Sequence, residues 1–262
     1  MKVRTLLAML LLVPGLATAA AEVDWPMEKM NPDLQNLPSL QNGFRLYANY
    51  CMGCHSLKFQ RYERTADDLQ IPHDVVLQNL VFTGQKIGEQ MAVAMEPQLA
   101  KNWFGAPPPD LTMVERVRGA EWIYNYLKTF YLDPSRPLGV NNKVFPNVAM
   151  PHALLELQGI QRDGCKQVPK IAENGGEVRD PLVPGKVVTE EKCGLLVLEE
   201  GSGLYDAAAY DQAVYDITNF LHYVGDPSRM ERHRIGGYVL LFLIVLWVFT
   251  WLLGREYNKA VR

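Results

Sequence analysis

The chain has no excess of positive charge: 26 lysines and arginines stand against 29 aspartates and glutamates, a formal net charge of −3 at pH 7. Binding along a nucleic-acid backbone draws on clustered cations, so that class of partner is excluded. Internal repeats and low-complexity tracts are also missing. With 48% hydrophobic and 21% charged residues, the composition is that of an ordinary folded chain, not a disordered one. Cysteine is scarce, at four in 262 residues, and these include one Cys-x-x-Cys pair. The second pair that a four-cysteine zinc site takes is lacking.

Long apolar runs occur only at the two ends. Lys2 and Arg4 precede the run Leu6 to Leu12, Pro14 and Gly15 interrupt it, and Ala17-Thr18-Ala19 offers a small-residue cleavage site. Residues 1–21 therefore read as a cleaved signal peptide of bacterial type, and the chain beyond it is expected to be exported. At the other end, Ile235 to Leu253 carries no charge and is bracketed by Arg234 and Arg255. About 19 helical residues at about 1.5 Å each span about 28 Å, close to the roughly 30 Å of bilayer hydrocarbon. Residues 235–254 are accordingly expected to form a transmembrane anchor. Tyr238, Trp247 and Trp251 suit its interfaces. Basic residues flank the span on both sides, so orientation follows from the leader: 22–230 outside as one domain, 255–262 as a cytoplasmic tail.

Within the exported part, apolar residues recur at three and four over Leu40 to Tyr50, Asp74 to Phe82, Met113 to Phe130 and Ala207 to Tyr223, which predicts helices there. Ala106-Pro107-Pro108-Pro109-Asp110 cannot be helical, because proline lacks the amide donor and restricts its predecessor. Residues 161–204 read as a surface excursion with strand-like runs at Lys186 to Val188 and Gly194 to Leu198. The expected class is mainly α, with long loops and a few short strands.

Cys51-Met52-Gly53-Cys54-His55 carries the chemistry. On one helical turn, residues at i, i+3 and i+4 share a face, so two thiols can bond a porphyrin edge while the histidine reaches its iron. This is the attachment pattern of a c-type haem. A thioredoxin-like redox pair and half a zinc site use the same cysteine separation, but the adjacent histidine and the export signal oppose both. The iron then needs a sixth ligand or an open position, and that choice separates electron transfer from catalysis. Met150, in the proline-flanked stretch Phe145 to Pro151, is the candidate ligand; His73, His152, His222 and His233 compete with it. Cys165 and Cys193 remain, as a disulfide or as two unpaired thiols.

The order of these parts resembles cytochrome c1, the haem subunit of quinol:cytochrome c oxidoreductases, over nearly the whole chain. The resemblance rests on the leader, Cys51-Met52-Gly53-Cys54-His55-Ser56, then Pro108-Pro109-Asp110-Leu111-Thr112, then Met150-Pro151, then Phe220-Leu221-His222-Tyr223 leading through Asp226-Pro227 to the terminal anchor. It implies one covalent haem c held by Cys51, Cys54 and His55, with Met150 as second axial ligand, the Pro109 segment packed on the ring, and Arg118 or its neighbour Arg116 on a propionate. It also implies cytochrome b and a Rieske iron-sulfur protein as partners in a dimeric complex of the bacterial inner membrane. A soluble cytochrome c would accept the electron, steered by acids such as Asp67, Asp68, Glu199 and Glu200. The chain departs from the family's pattern in having only Pro151 between Met150 and His152, and the pattern over Glu121 to Tyr124 fits only with a shift. The rival readings are a peroxidase-type haem enzyme with an open distal site and a non-redox membrane anchor.

Overall fold

A computed structural model describes residues 25–172, 176–180, 183 and 185–260. The expected leader, 1–21, and the last two residues of the expected tail lie outside the described residues.

Two helices crossing face to face build the core. The first, α1 (Leu37–Leu46), starts where Asn36 accepts a hydrogen bond from the Ser39 amide at 3.2 Å, with proline in its first turn. It runs on into a single π-helical turn, Tyr47–Cys51, closed by the Met52 amide on the Tyr47 carbonyl. The expected helix over Leu40 to Tyr50 is therefore present, but its last turn is wider, a form often found at functional sites. It delivers Cys51 to the end of the element.

After β1 (Leu57–Arg61) come α2 (Tyr62–Asp68) and α3 (His73–Asn79), then β2 (Gln90–Met91), antiparallel to β1, and α4 (Pro97–Phe104). The helix expected over Met113 to Phe130 is two helices, α5 (Val114–Arg118) and α6 (Ala120–Lys128). Gly119 separates them at φ +87°, ψ 153°, a conformation that a side chain would strain. Next come β3 (Phe130–Leu132), β4 (Val140–Asn142), α7 (Leu155–Gln158), β5 (Gln161–Pro169) and β6 (Thr189–Leu198). These strands make one sheet in the order β4-β3-β5-β6.

The second core helix, α8 (Ala207–Gly225), is capped by Asp206, whose carboxylate accepts from the Ala209 amide at 2.8 Å. Its inner face buries Val214, Ile217, Phe220 and Leu221. Phe44 of α1 stacks on Phe220 with centroids 5.3 Å apart. A buried polar cluster fixes the crossing: Ser39 and Asn42 each donate to the Asp216 carboxylate at 2.6 Å. Asn219 holds the Asp33 backbone at both its amide and its carbonyl. Every apolar contact here adds roughly 25 cal/mol per Å² removed from water, but the satisfied carboxylate is what selects one register.

The excursion over 161–204 is a long ribbon of β5 and β6, paired antiparallel from Gln161↔Leu198 to Pro169↔Thr189. The run Gly194 to Leu198 lies in β6, whereas Lys186 to Val188 lies outside the strand, paired through the bridge Arg179↔Val187 and through the Lys170 amide on the Val188 carbonyl. Cys165 and Cys193 face each other across the ribbon and are bonded. Closing a loop with a sequence separation of 28 stabilises by about 3–4 kcal/mol in the chain-entropy model. Replacing both cysteines by serine is expected to open the ribbon beyond positions 165 and 193 to limited proteolysis while leaving the thermal melt of the helical core unchanged. A parallel fall in that melting temperature would show that the ribbon is coupled to the core.

The last element, α9 (Arg229–Ala260), contains a candidate membrane span, Ile235–Lys259, none of whose most apolar window is buried against the rest of the chain. It is long and apolar enough to cross a membrane. A helix apolar on all sides is stable only where something other than water covers it.

Candidate cofactor site

All six residues picked from the sequence for cofactor binding, Cys51, Cys54, His55, Pro109, Arg118 and Met150, line one apolar cavity of about 340 Å³. Its walls come from the end of the π-helical turn, the proline segment, α6, the loop carrying Met150, and Ile217 and Leu221 of α8.

The cysteines sit on one turn: the Cys54 and His55 amides both donate to the Cys51 carbonyl, at 3.1 and 2.9 Å. Both thiols are free. Burial pushes the Cys51 thiol up to about 12, with Cys54 adding to the shift, so it rests as a neutral thiol.

His55 is buried, and its Nδ1 lies 2.7 Å from the Pro109 carbonyl oxygen. A carbonyl only accepts, so Nδ1 carries the proton and Nε2 keeps a bare lone pair. Burial lowers the pKa of this ring, opposed by the Pro109 hydrogen bond and the Asp110 charge. The result is a neutral imidazole with a fixed tautomer, the form in which histidine binds a metal.

Asp110, which sequence reasoning left without a role, holds the proline segment in place. One carboxylate oxygen accepts from the Lys58 amide at 2.8 Å and the other from the Thr112 amide at 3.0 Å. The Leu111 amide donates to the Ser56 carbonyl at 2.9 Å. The segment is thus laced to the stretch just after His55. On the other side, the buried Tyr47 hydroxyl donates to the His55 carbonyl at 2.6 Å.

Met150 packs beside the small cluster of Phe130, Val140 and Val148. Its sulfur accepts a hydrogen bond from the Tyr126 hydroxyl at 3.3 Å, and burial keeps that phenol protonated by raising its pKa. Trp122 stacks on Tyr126 with centroids 4.9 Å apart, and the Arg118 guanidinium lies over Trp122 at 5.0 Å. Arg116 instead reaches towards Asp226 at 3.9 Å and is not part of the cavity lining. Trp122 and Tyr126 both line the cavity and were missed. Their spacing of four along a helix was the available signal.

Three of the four competing histidines are engaged elsewhere. His152 stacks flat on Phe130 at 4.9 Å, and its Nε2 meets the Gln158 side-chain oxygen at 2.7 Å. Burial lowers its pKa to about 4, the Gln158 contact opposing. His73 contacts Asp67 at 2.8 Å, and His222 lies between Glu115 at 2.8 Å and Arg229 at 3.1 Å. The side chain of His233 lies outside the described residues. Among the acids considered for steering a partner, Asp68 pairs with Arg64 and accepts from Tyr223, and Glu199 pairs with Arg162.

Two free thiols, a neutral imidazole with its lone pair exposed and a thioether around an apolar cavity fit a covalently attached haem: sulfur for the porphyrin edge, nitrogen and sulfur for iron. No family model matches the chain. Among curated proteins it is 45% identical to cytochrome c1 of Allochromatium vinosum, covering 98% of this chain and 99% of that one. It is 36% identical to a protein named ammonia monooxygenase gamma subunit of Nitrosomonas europaea, covering 99% and 98%. The mitochondrial cytochrome c1 haem protein of Schizosaccharomyces pombe is 26% identical over 85% of this chain and 67% of its own length. With near full-length identity of this order and a cavity lined by the expected cysteines, histidine and methionine, the chain belongs to the cytochrome c1 family.

Proposed function

We propose that the chain is the haem-bearing electron-transfer subunit of a quinol:cytochrome c oxidoreductase, the cytochrome bc1 complex. In this reading it accepts single electrons from a Rieske iron-sulfur protein and passes them to a soluble cytochrome c. Residues 22–230 stand on the periplasmic side of a bacterial inner membrane after removal of the leader. Residues 235–254 anchor them beside cytochrome b in a dimeric complex, and 255–262 remain in the cytoplasm. The observation that carries the reading is the single cavity lined by Cys51, Cys54, His55 and Met150.

Bound there, haem c supplies a one-electron iron couple. Cys51 and Cys54 would hold its edge through their sulfurs. His55, whose Nε2 lone pair is bare because Pro109 holds the proton on Nδ1, would supply nitrogen to the iron. Met150 would supply a thioether sulfur as the second protein ligand, closing the iron to substrate and favouring the reduced state. The apolar lining excludes water from the iron, and Arg118 at the rim offers a propionate its positive charge.

The test uses the full chain extracted in mild detergent. A denaturing gel stained for haem is expected to show this polypeptide coloured, with a mass above the bare mature chain by one haem. Cytochrome b and a Rieske protein are expected to co-purify. A colourless band at the mass of the bare chain would remove the reading altogether; recovery with an oxidase instead would move the subunit to another respiratory complex.

A further inference from the structure

Tyr126 is held with unusual completeness for a residue whose one polar side-chain atom meets a methionine. Its ring lies between Trp122, stacked at 4.9 Å and 9°, and Phe130, edge-on at 5.1 Å and 72°. Its backbone carbonyl accepts from the Asn142 side-chain amide at 2.8 Å. The oxygen of that amide accepts from the Val144 and Phe145 backbone amides, at 2.9 and 3.0 Å. The Asn141 side chain accepts in turn from the Asn147 amide at 2.8 Å. The loop that ends in Met150 is therefore registered, residue by residue, against the end of α6 that carries Tyr126. The hydroxyl then reaches the Met150 sulfur at 3.3 Å.

We propose that Tyr126 is a positioning residue for Met150, its hydroxyl donating to the sulfur lone pair that the iron does not use. This rests on the reading of Met150 as an axial ligand. A thioether sulfur has two lone pairs and is a weak acceptor. With one pair directed to iron, a donor on the other fixes the rotation of the side chain and withdraws electron density from the sulfur. Withdrawal weakens the sulfur's support of the oxidised iron more than of the reduced iron, so the bond raises the reduction potential. The bland account is that a buried tyrosine takes whatever acceptor is near. That account predicts no dependence of the potential on how strong a donor the hydroxyl is.

The experiment measures the midpoint potential, the far-red sulfur-to-iron absorption band of the oxidised protein and the rate of carbon monoxide binding to the reduced protein. It compares full-length wild type, Tyr126→Phe and a chain with difluorotyrosine at position 126. Losing a weak hydrogen bond is expected to shift the oxidised-to-reduced equilibrium by about threefold, or roughly 30 mV downward at 59 mV per decade for one electron. Carbon monoxide should bind faster, because Met150 leaves the iron more often. Difluorotyrosine keeps the ring's shape and donates more strongly, so it should move the potential upward. Should Tyr126→Phe fail to accumulate with haem, the difluorotyrosine shift decides. An unchanged potential in both variants, with the far-red band intact, would overturn the role of Tyr126 and leave Met150 as ligand. Absence of that band from the wild type, with Met150→Ala spectrally silent, would overturn the ligand reading and this proposal with it.

Discussion

Replacing Gly43 by alanine is expected to leave little folded, haem-bearing protein, although in an isolated helix the same change would stabilise by about 1 kcal/mol. A Cβ built at Gly43 falls 2.1 Å from the Asp216 carbonyl oxygen and 2.7 Å from the Phe220 Cβ. Both neighbours belong to the rigid body of α8 rather than to the end of a flexible side chain, so the helices must part. Parting them lengthens the bonds from Ser39 and Asn42 to Asp216, which are 2.6 Å each and flank the contact. It also uncovers the stacked Phe44 and Phe220. Overpacking of a core costs typically about 1–3 kcal/mol, and a carboxylate left buried with broken partners adds about 1–3 kcal/mol more. The sum, about 2–6 kcal/mol, reaches the lower end of the whole stability of a typical domain, about 5–15 kcal/mol. The damage also travels to the cofactor, since Tyr47 packs on Phe220 and its hydroxyl holds the His55 carbonyl. Haem staining per unit of polypeptide and a thermal melt measure both consequences. A Gly43→Ala protein melting with the wild type would mean that the two helices can separate at no cost.

What could be seen in the sequence was chemistry with a fixed local spacing. Cys51, Cys54 and His55 declare themselves because three groups on one turn must serve one ring. Met150 stood out through its prolines. The apolar run near the carboxyl end was legible because such a run has few explanations, and α9 is long and apolar enough to cross a membrane. Pro109 was expected against the ring, and it does line the cavity, but its carbonyl bond to His55 depends on Asp110 meeting Lys58 and Leu111 meeting Ser56 across about fifty residues. No local pattern encodes that meeting. Tyr126 was hidden for a different reason. The spacing of four from Trp122 marks a shared helix face, but nothing local says that this face meets the loop carrying Met150, which Asn141 and Asn142 register against it. The strand β5 was not seen at all. Gln161–Pro169 carries Val168 as its one aliphatic side chain, and both faces of much of the ribbon are exposed to solvent, so the alternation that marks a half-buried strand never arises.

Replacing Met150 by alanine is expected to convert the site from a closed one to an open one while the haem stays attached. In the proposed reading attachment depends on Cys51, Cys54 and His55, whereas the Met150 sulfur is held separately, by Tyr126, and His55 by Pro109. The variant should therefore stain for haem like the wild type. Its far-red sulfur-to-iron band should disappear, and carbon monoxide should bind the reduced form readily. Its potential should fall by on the order of a few tenths of a volt, a substantial part of the roughly 0.8 V range that axial ligation commands. His152, two residues on, is poorly placed to substitute. To reach the cavity it must leave its flat stack on Phe130 and its contact with Gln158, a loss of roughly 2 kcal/mol from stacking and hydrogen bonding together. The loop must also rotate against the Asn141 and Asn142 bonds that register it. A spectrum of two-histidine type in Met150→Ala would show that these restraints yield and that His152 is a reserve ligand. A spectrum and potential identical to the wild type would carry the opposite lesson: the second axial position was open from the start, and the peroxidase-type reading, with substrate rather than a thioether meeting the iron, would replace electron relay.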